Sequence, residues 1–201
     1  MSAEGIFAHW PNRLTALRFV GSAVLFAVFS LGDEQSLAHP ALASQACFWL
    51  FIATAVTDAL DGYLARRDNL VTAFGRVADP FVDKILILGT MIFLTTFEWT
   101  QGWFPAWIVV VVLAREFLVT GIRGYVESQG LEFPADWFGK TKMILQCIAI
   151  GVVLGMFAFG VHARFFEVAA HVLVWGTLIT SVGSGVSYVL RTKRLLAGAT
   201  S

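Results

Sequence analysis

Long apolar runs, separated by short polar segments, follow one another along almost the whole chain. The six longest are Leu14 to Leu31, Ala43 to Leu64, Val82 to Phe97, Pro105 to Val126, Met143 to Gly160 and Phe165 to Leu190. A bilayer core about 30 Å thick requires roughly 20 apolar residues per helical span, and a helix satisfies its own backbone hydrogen bonds in hydrocarbon. The pattern therefore predicts an all-α, polytopic membrane protein, a bundle of six transmembrane helices.

The composition favours lipid over water as the solvent of this fold. Hydrophobic residues make up 57% of the 201-residue chain and charged residues only 14%, which is not typical of a water-soluble domain. Six spans with short loops would use nearly the whole chain. We therefore expect one membrane domain over residues 1–201, in which residues 1–13 form an N-terminal interfacial segment.

Lysine and arginine are distributed unevenly between the two ends of the predicted spans. With the N-terminus inside, one face receives Arg13, Arg18, Arg66, Arg67, Arg76, Lys84, Arg115, Arg123, Lys140, Lys142, Arg191, Lys193 and Arg194. Of the 14 basic residues, only Arg164 falls on the other face. The positive-inside rule makes the basic face cytoplasmic and places both termini there. Trp99, Trp103 and Trp107, between the third and fourth spans, fit an aromatic belt at the opposite interface.

Four aspartates interrupt the predicted second and third spans. Asp58 and Asp61 lie near the end of the second span, and Asp79 and Asp83 lie near the beginning of the third. A charged side chain at mid-membrane costs about 2.5 to 3.5 kcal/mol on insertion scales. Four carboxylates together therefore call for a cation that neutralises them.

The spacing of these aspartates places each pair on one helical face. Because the two faces could converge on one cavity open to the cytoplasm, the four carboxylates could share a site. Carboxylate oxygens without thiolate or imidazole neighbours favour Mg²⁺ or Mn²⁺, and four of them suit two ions that clamp a phosphoryl group. The alternative is ion pairing with nearby Arg66, Arg76 and Lys84, which does not explain the two stripes.

Small residues and a proline accompany the aspartates. Gly62 and Ala65 leave room for a ligand to approach the backbone, or else they allow helices to pack closely. Pro80 has two interpretations. Either Asp79 caps a helix that begins at Pro80, or the helix begins near Gly75 and Pro80 bends it.

The segment from Asp58 to Asp83 resembles the signature of the CDP-alcohol phosphotransferase family. That signature reads Asp-x₂-Asp-Gly-x₂-Ala-Arg-x₈-Gly-x₃-Asp-x₃-Asp, and every fixed position is present here in order. The resemblance implies six transmembrane helices and a homodimer. It also implies a metal-dependent reaction in which an alcohol displaces CMP from a CDP-linked donor.

The resemblance further implies roles for the signature residues. The ligands of a pair of divalent ions, Mg²⁺ or Mn²⁺, would be Asp58, Asp61, Asp79 and Asp83. Asp83 would also act as the catalytic general base. The donor nucleotide would be bound by Gly62, Ala65, Arg66 and Gly75.

Three shorter segments resemble the branch of the family that uses glycerol 3-phosphate as the acceptor. They are Pro11 to Thr15 with Arg18, Arg115-Glu116 followed by Arg123, and Gly139 to Lys142. Independently of the resemblance, a group of cations near the cytoplasmic ends of two adjacent spans suits a phosphate monoester, because guanidinium groups bind phosphate in a forked geometry. These candidate acceptor-binding residues are Arg115, Arg123, Lys140 and Lys142. The two lysines could alternatively be ordinary anchors attracted to anionic lipid.

We therefore expect an enzyme of the cell inner (cytoplasmic) membrane whose active site faces the cytoplasm. It would transfer the phosphatidyl group of CDP-diacylglycerol to sn-glycerol 3-phosphate, giving phosphatidylglycerophosphate and CMP, with no nucleic-acid partner. A sister reaction with inositol phosphate, serine or phosphatidylglycerol as acceptor is the nearest alternative. A divalent-cation transporter is the alternative from another class, since intramembrane carboxylates also mark ion pathways.

Overall fold

The computed structural model describes residues 10–38, 41–67, 73–130 and 137–199. Within these ranges it describes the side chains other than those of residues 10, 11, 34, 58–67, 73–80, 137–140 and 196–199. The described chain is helical apart from short connections, which confirms the all-α prediction.

Six long helices in the described residues correspond to the six apolar runs. With one short helix, α2, the described helices are α1 (Trp10–Leu31), α2 (Glu34–Ala38), α3 (Leu42–Arg67), α4 (Ala73–Thr96), α5 (Ala106–Ser128), α6 (Trp137–Phe159) and α7 (Arg164–Ala199). The short α2, which follows α1 directly, is not part of any apolar run. Helix α7 has 36 residues and continues well beyond the hydrophobic segment that predicts it.

Three of the described helices contain segments that are long and apolar enough to cross a bilayer. These segments are Asn12–Leu31, Thr141–Phe159 and Arg164–Leu195. In α3 the described side chains include a shorter apolar segment, Leu42–Thr57. The chain thus has the character of a membrane protein.

Contacts along the helices fix their relative directions. Helices α1 and α4 run in the same direction, because Arg18 meets Asp83 while Phe26, two turns further along α1, stacks on Phe93. Helix α3 packs between α1 and α6. Helices α5 and α7 also run in the same direction, because Trp107 packs on Trp175 while Arg123, further along α5, meets Tyr188. Helix α7 contacts both α5 and α6.

The core consists of apolar side chains contributed by every long helix. Leu25, Phe51, Met91, Ile108 and Ile150 are all at most 1% exposed. At the end of the bundle where α4 leads into α5, aromatic rings close the core. Two of the three tryptophans assigned to an interfacial belt turn inward there, since Trp99 and Trp103 pack on Phe157. Trp107 is about half exposed.

The start of α4 decides between the two interpretations of Pro80. Because α4 already begins at Ala73, Asp79 does not cap a helix that begins at Pro80, and that alternative is wrong. Pro80 instead lies inside α4, where its nitrogen has no hydrogen to donate to the carbonyl of Arg76.

Candidate active site

Polar and charged side chains from five helices meet at the end of the bundle opposite the aromatic rings. We call this group the polar cluster. Its described members are Arg18 from α1, Asp83 and Lys84 from α4, Arg115, Glu116, Thr120 and Arg123 from α5, Lys142 from α6, and Ser184 and Tyr188 from α7.

Asp83, the last aspartate of the signature, forms an ion pair with α1. Nη1 of Arg18 donates to Oδ1 of Asp83 at 2.5 Å. The Arg18 side chain is only 2% exposed, whereas that of Asp83 is 24% exposed. Arg18 belongs to a buried polar stripe of α1 that also contains Asn12, Thr15 and Ser22. Helix α1 therefore orients a carboxylate that a ligand can still reach.

The remaining signature side chains lie outside the described residues. This applies to the predicted metal ligands Asp58, Asp61 and Asp79, and to the predicted nucleotide-binding residues Gly62, Ala65, Arg66 and Gly75. Their backbone belongs to α3 and α4. Among the side chains that the structure does describe, no three His, Cys, Asp or Glu residues are grouped as metal ligands would be.

A largely apolar cavity of about 970 Å³ lies between α3, α4 and α6 and reaches the ion pair of Arg18 and Asp83. Thr54 is the other polar residue of its lining. The apolar part of the lining consists of Phe48, Phe51, Ile52, Ala55, Val56, Val82, Leu86, Ile87, Met143, Ile144, Cys147, Ile148, Gly151 and Val152. A cavity with a charged end and apolar walls suits an amphiphilic molecule.

Glu116 lies at the centre of the polar cluster, between two cations. Its Oε1 accepts a hydrogen bond from Nη1 of Arg115 at 3.0 Å and another from the ammonium group of Lys142. All three side chains are less than 10% exposed. A buried charge is tolerated when it is paired and hydrogen-bonded, so Glu116 accounts for the burial of both cations.

A second lysine extends the polar cluster towards α4. The ammonium group of Lys84 donates to the hydroxyl oxygen of Thr120, and that hydroxyl donates to the backbone oxygen of Glu116 at 2.7 Å. Lys84 directly follows Asp83 in α4. The two neighbouring residues therefore connect α4 to α1 on one side and to α5 on the other.

Helix α7 supplies the partners of the two arginines. Nε of Arg115 donates to the hydroxyl of Ser184 at 3.0 Å, and Nη2 of Arg123 donates to the hydroxyl of Tyr188 at 2.9 Å. The Cζ atoms of Arg115 and Arg123 lie 5.7 and 6.0 Å from the centre of the Tyr188 ring. Both distances are within the range of cation–π attraction.

Three of the four predicted acceptor-binding residues, Arg115, Arg123 and Lys142, are brought together in this cluster. The side chain of Lys140 lies outside the described residues. Ser184 and Tyr188 lie outside the signature and outside the three shorter segments that resemble the family. A signal for them exists in the sequence, because Thr177, Ser181, Ser184 and Tyr188 recur at helical spacing in an apolar helix, and all are at most 2% exposed.

Comparison with known proteins defines the class. A family model described as CDP-alcohol phosphatidyltransferase matches residues 8–183. The chain therefore belongs to the CDP-alcohol phosphatidyltransferase family, and the resemblance carried by the Asp58 to Asp83 signature is confirmed.

Individual relatives are similar over most of their length. The chain is 35% identical to the CDP-diacylglycerol--glycerol-3-phosphate 3-phosphatidyltransferase of Bacillus subtilis (strain 168), over 89% of this chain and 92% of the relative. It is 37% identical to a probable phosphatidylglycerophosphate synthase of Mycobacterium tuberculosis, over 95% of this chain and 85% of the relative. A CDP-diacylglycerol--glycerol-3-phosphate 3-phosphatidyltransferase of Rickettsia bellii is 31% identical, over 92% of this chain and 95% of the relative.

Proposed function

We propose that this chain transfers the phosphatidyl group of CDP-diacylglycerol to sn-glycerol 3-phosphate and releases CMP and phosphatidylglycerophosphate. One observation carries the proposal. The signature carboxylate of Asp83 lies in the same polar cluster as Arg115, Arg123 and Lys142, the cations expected for a phosphate-bearing acceptor. The names of the three relatives agree with this donor and this acceptor.

The cavity between α3, α4 and α6 is the proposed site of the donor. Its apolar walls suit the acyl chains of a diacylglycerol, because burying hydrocarbon against hydrocarbon requires no polar partner. Its charged end, at Arg18 and Asp83, suits the phosphate-bearing end of the same molecule. The acyl chains could then remain in an apolar environment throughout the reaction.

The residues present fit a divalent metal cofactor, Mg²⁺ or Mn²⁺. The donor set of the signature consists only of carboxylates, the ligands that hard cations prefer. Asp83 is accessible from the cavity. We propose that Asp58, Asp61, Asp79 and Asp83 hold two ions. When bound, the ions would supply positive charge that neutralises the pyrophosphate of the donor.

The protein's own residues would prepare the acceptor for attack. Asp83 accepts the proton of the primary hydroxyl of glycerol 3-phosphate while that oxygen attacks the phosphatidyl phosphorus. A new bond forms between this oxygen and phosphorus, and the bond between phosphorus and the CMP oxygen breaks. Arg18 holds the Asp83 carboxylate in position through its hydrogen bond. Gly62, Ala65, Arg66 and Gly75 are proposed to bind the cytidine nucleotide.

The phosphate of the acceptor is proposed to bind at the basic part of the polar cluster. Arg115 and Lys142 are buried there, and Arg123 is exposed. An anion could therefore approach from water at Arg123 and bind to the buried positive charges of Arg115 and Lys142. Lys140, whose backbone lies close to Lys142 in α6, is proposed to contribute to the same site.

We also propose a multi-pass arrangement in the cytoplasmic membrane with all six long helices spanning it. The basic end of the bundle, with both termini, would face the cytoplasm, as the distribution of Lys and Arg favours. A homodimer is proposed on the family resemblance alone.

The test is CMP release by purified protein supplied with CDP-diacylglycerol and Mg²⁺. Glycerol 3-phosphate, inositol 1-phosphate, serine and phosphatidylglycerol are added in separate reactions. We expect release with glycerol 3-phosphate only, and loss of release when a chelator is added. Release with a different acceptor would overturn the proposed acceptor, and no release with any of them would overturn the proposed reaction.

A further inference from the structure

Helix α7 contacts both candidate acceptor-binding arginines through one aromatic side chain, that of Tyr188. The side chain is 2% exposed although it carries a hydroxyl group. Its hydroxyl accepts a hydrogen bond from Arg123, and its ring lies within about 6 Å of the guanidinium carbons of both Arg115 and Arg123. Two positive groups that would repel each other thus both lie near one electron-rich ring.

The backbone of α7 approaches Arg115 closely at the same level. A Cβ atom on Gly185 would lie 3.2 Å from Cγ of Arg115, so the aliphatic part of the arginine side chain passes directly over α7. Ser184 accepts the hydrogen bond from Nε of Arg115. Arg115 is therefore oriented from two directions, by Glu116 within α5 and by Ser184 and Tyr188 from α7.

We infer that Tyr188 is a positioning residue that assembles Arg115 and Arg123 into one phosphate-binding pair and thereby sets the affinity for an anionic acceptor. The inference rests on the proposed function, in which these arginines bind the acceptor phosphate. Tyr188 itself does not touch the reacting atoms. It reduces the repulsion between the guanidinium groups and, through its hydrogen bond, limits the conformations of the exposed Arg123 side chain.

This role predicts a specific kinetic signature for substitutions of Tyr188. Tyr188→Phe keeps the ring and removes the hydroxyl, and Tyr188→Leu removes both. Because a cation–π contact or a hydrogen bond to a charged group is worth about 1 kcal/mol or more, we expect KM for glycerol 3-phosphate to rise about fivefold in Tyr188→Phe and about tenfold or more in Tyr188→Leu. KM for CDP-diacylglycerol and kcat at saturating acceptor should stay near the wild-type values.

The matched control is Tyr125→Phe. Tyr125 lies two residues after Arg123, near the end of α5, but its side chain is 54% exposed. Removal of its hydroxyl should therefore leave both KM values unchanged. Each variant is first compared with the wild type by thermal unfolding in detergent. If Tyr188→Leu unfolds too readily to be purified, the nearly isosteric Tyr188→Phe decides the question by itself.

The wild-type reaction separates this inference from the proposed function. If the wild-type protein shows no CMP release that depends on glycerol 3-phosphate, the proposed function fails before any variant is considered. If the wild type is active with glycerol 3-phosphate, the variants test Tyr188. An unchanged KM for glycerol 3-phosphate in Tyr188→Phe, or an equal rise in KM for both substrates, would overturn the positioning role.

Discussion

The carboxylate of Glu116 holds two cations in a part of the bundle that is nearly closed to solvent. Arg115 and Lys142 both donate to the same oxygen, and neither side chain is more than 8% exposed. Taking ions out of water is costly, and the cost is recovered only when each charge keeps a partner. Glu116 is therefore the residue on which the basic part of the polar cluster depends.

Glu116→Gln should destabilise the protein because it leaves two buried cations without their counter-charge. Removal of one partner of a buried pair typically costs about 3–5 kcal/mol, which we expect to appear as a clear fall in the midpoint of thermal unfolding. The double variant Glu116→Gln/Lys142→Met should recover part of that loss. Glu127→Gln, an exposed position on the same helix, is the control. A midpoint unchanged by Glu116→Gln would contradict the central position of this carboxylate.

Asp83→Asn tests the proposed proton acceptor. General-base catalysis typically contributes about 10²- to 10⁴-fold to the rate, so kcat should fall by at least about a hundredfold. CDP-diacylglycerol binding should largely persist, because the apolar walls of the cavity and the other three proposed metal ligands, Asp58, Asp61 and Asp79, do not change. Turnover close to that of the wild type would remove Asp83 from the mechanism.

At the residue scale the sequence identified charged positions better than it identified their partners. Asp58, Asp61 and Asp83 lie within apolar runs, and Asp79 lies shortly before one. These four residues stand out because charged side chains are costly in lipid. The contact of Arg18 with Asp83 joins residues 65 positions apart, and the contact of Arg123 with Tyr188 has the same separation. Helical spacing relates residues within one helix and says nothing about which face of another helix it meets, so these partners could not be predicted.

At the scale of elements, the close contact between α1 and α4 depends on Gly89, which has no side chain. A Cβ atom on Gly89 would overlap the ring of Phe26, which itself stacks on Phe93. This close approach lies along the same pair of helices that holds Arg18 and Asp83 together. Small residues at helix crossings play this part in membrane proteins generally.

Gly89→Ala should therefore destabilise the pair of helices that orients Asp83. Overpacking of this kind typically costs about 1–3 kcal/mol, and it should lower the unfolding midpoint. Gly121→Ala makes the same chemical change in α5, where no atom lies within 4 Å of the added Cβ, and the higher helix propensity of alanine should leave the midpoint equal or raised. Equal effects at the two positions would mean that the helices can separate without cost.

The positions of the long helices were predictable, because an apolar run of about 20 residues in a bilayer can satisfy its backbone hydrogen bonds only as a helix. The residues at which the helices begin and end were less predictable. Helix α4 begins at Ala73, nine residues before its apolar run at Val82, since the polar signature segment is helical as well. The role of α7 was also missed. Because α7 is mostly apolar, its hydropathy does not indicate the polar stripe, although Ser184 and Tyr188 in that stripe contact the arginines.

At the scale of the whole molecule, the proposed orientation places the turn between α4 and α5 outside and the end of α5 inside. Gln101→Cys and Ser128→Cys, both at exposed positions, test this in a background with Cys47→Ala and Cys147→Ala. A membrane-impermeant maleimide applied to intact cells should label only Gln101→Cys. Ser128→Cys should react only after the membrane is permeabilised. The opposite pattern would reverse the orientation, and labelling of both from outside would contradict a spanning α5.

The most direct test of the account follows the acceptor itself. Purified protein in liposomes receives CDP-diacylglycerol, Mg²⁺ and glycerol 3-phosphate that carries a carbon label. We predict that the label moves from the aqueous phase into lipid, with one labelled phosphatidylglycerophosphate formed for each CMP released. If CMP is released while the label stays in the aqueous phase, glycerol 3-phosphate is not the acceptor and the account of the polar cluster is wrong.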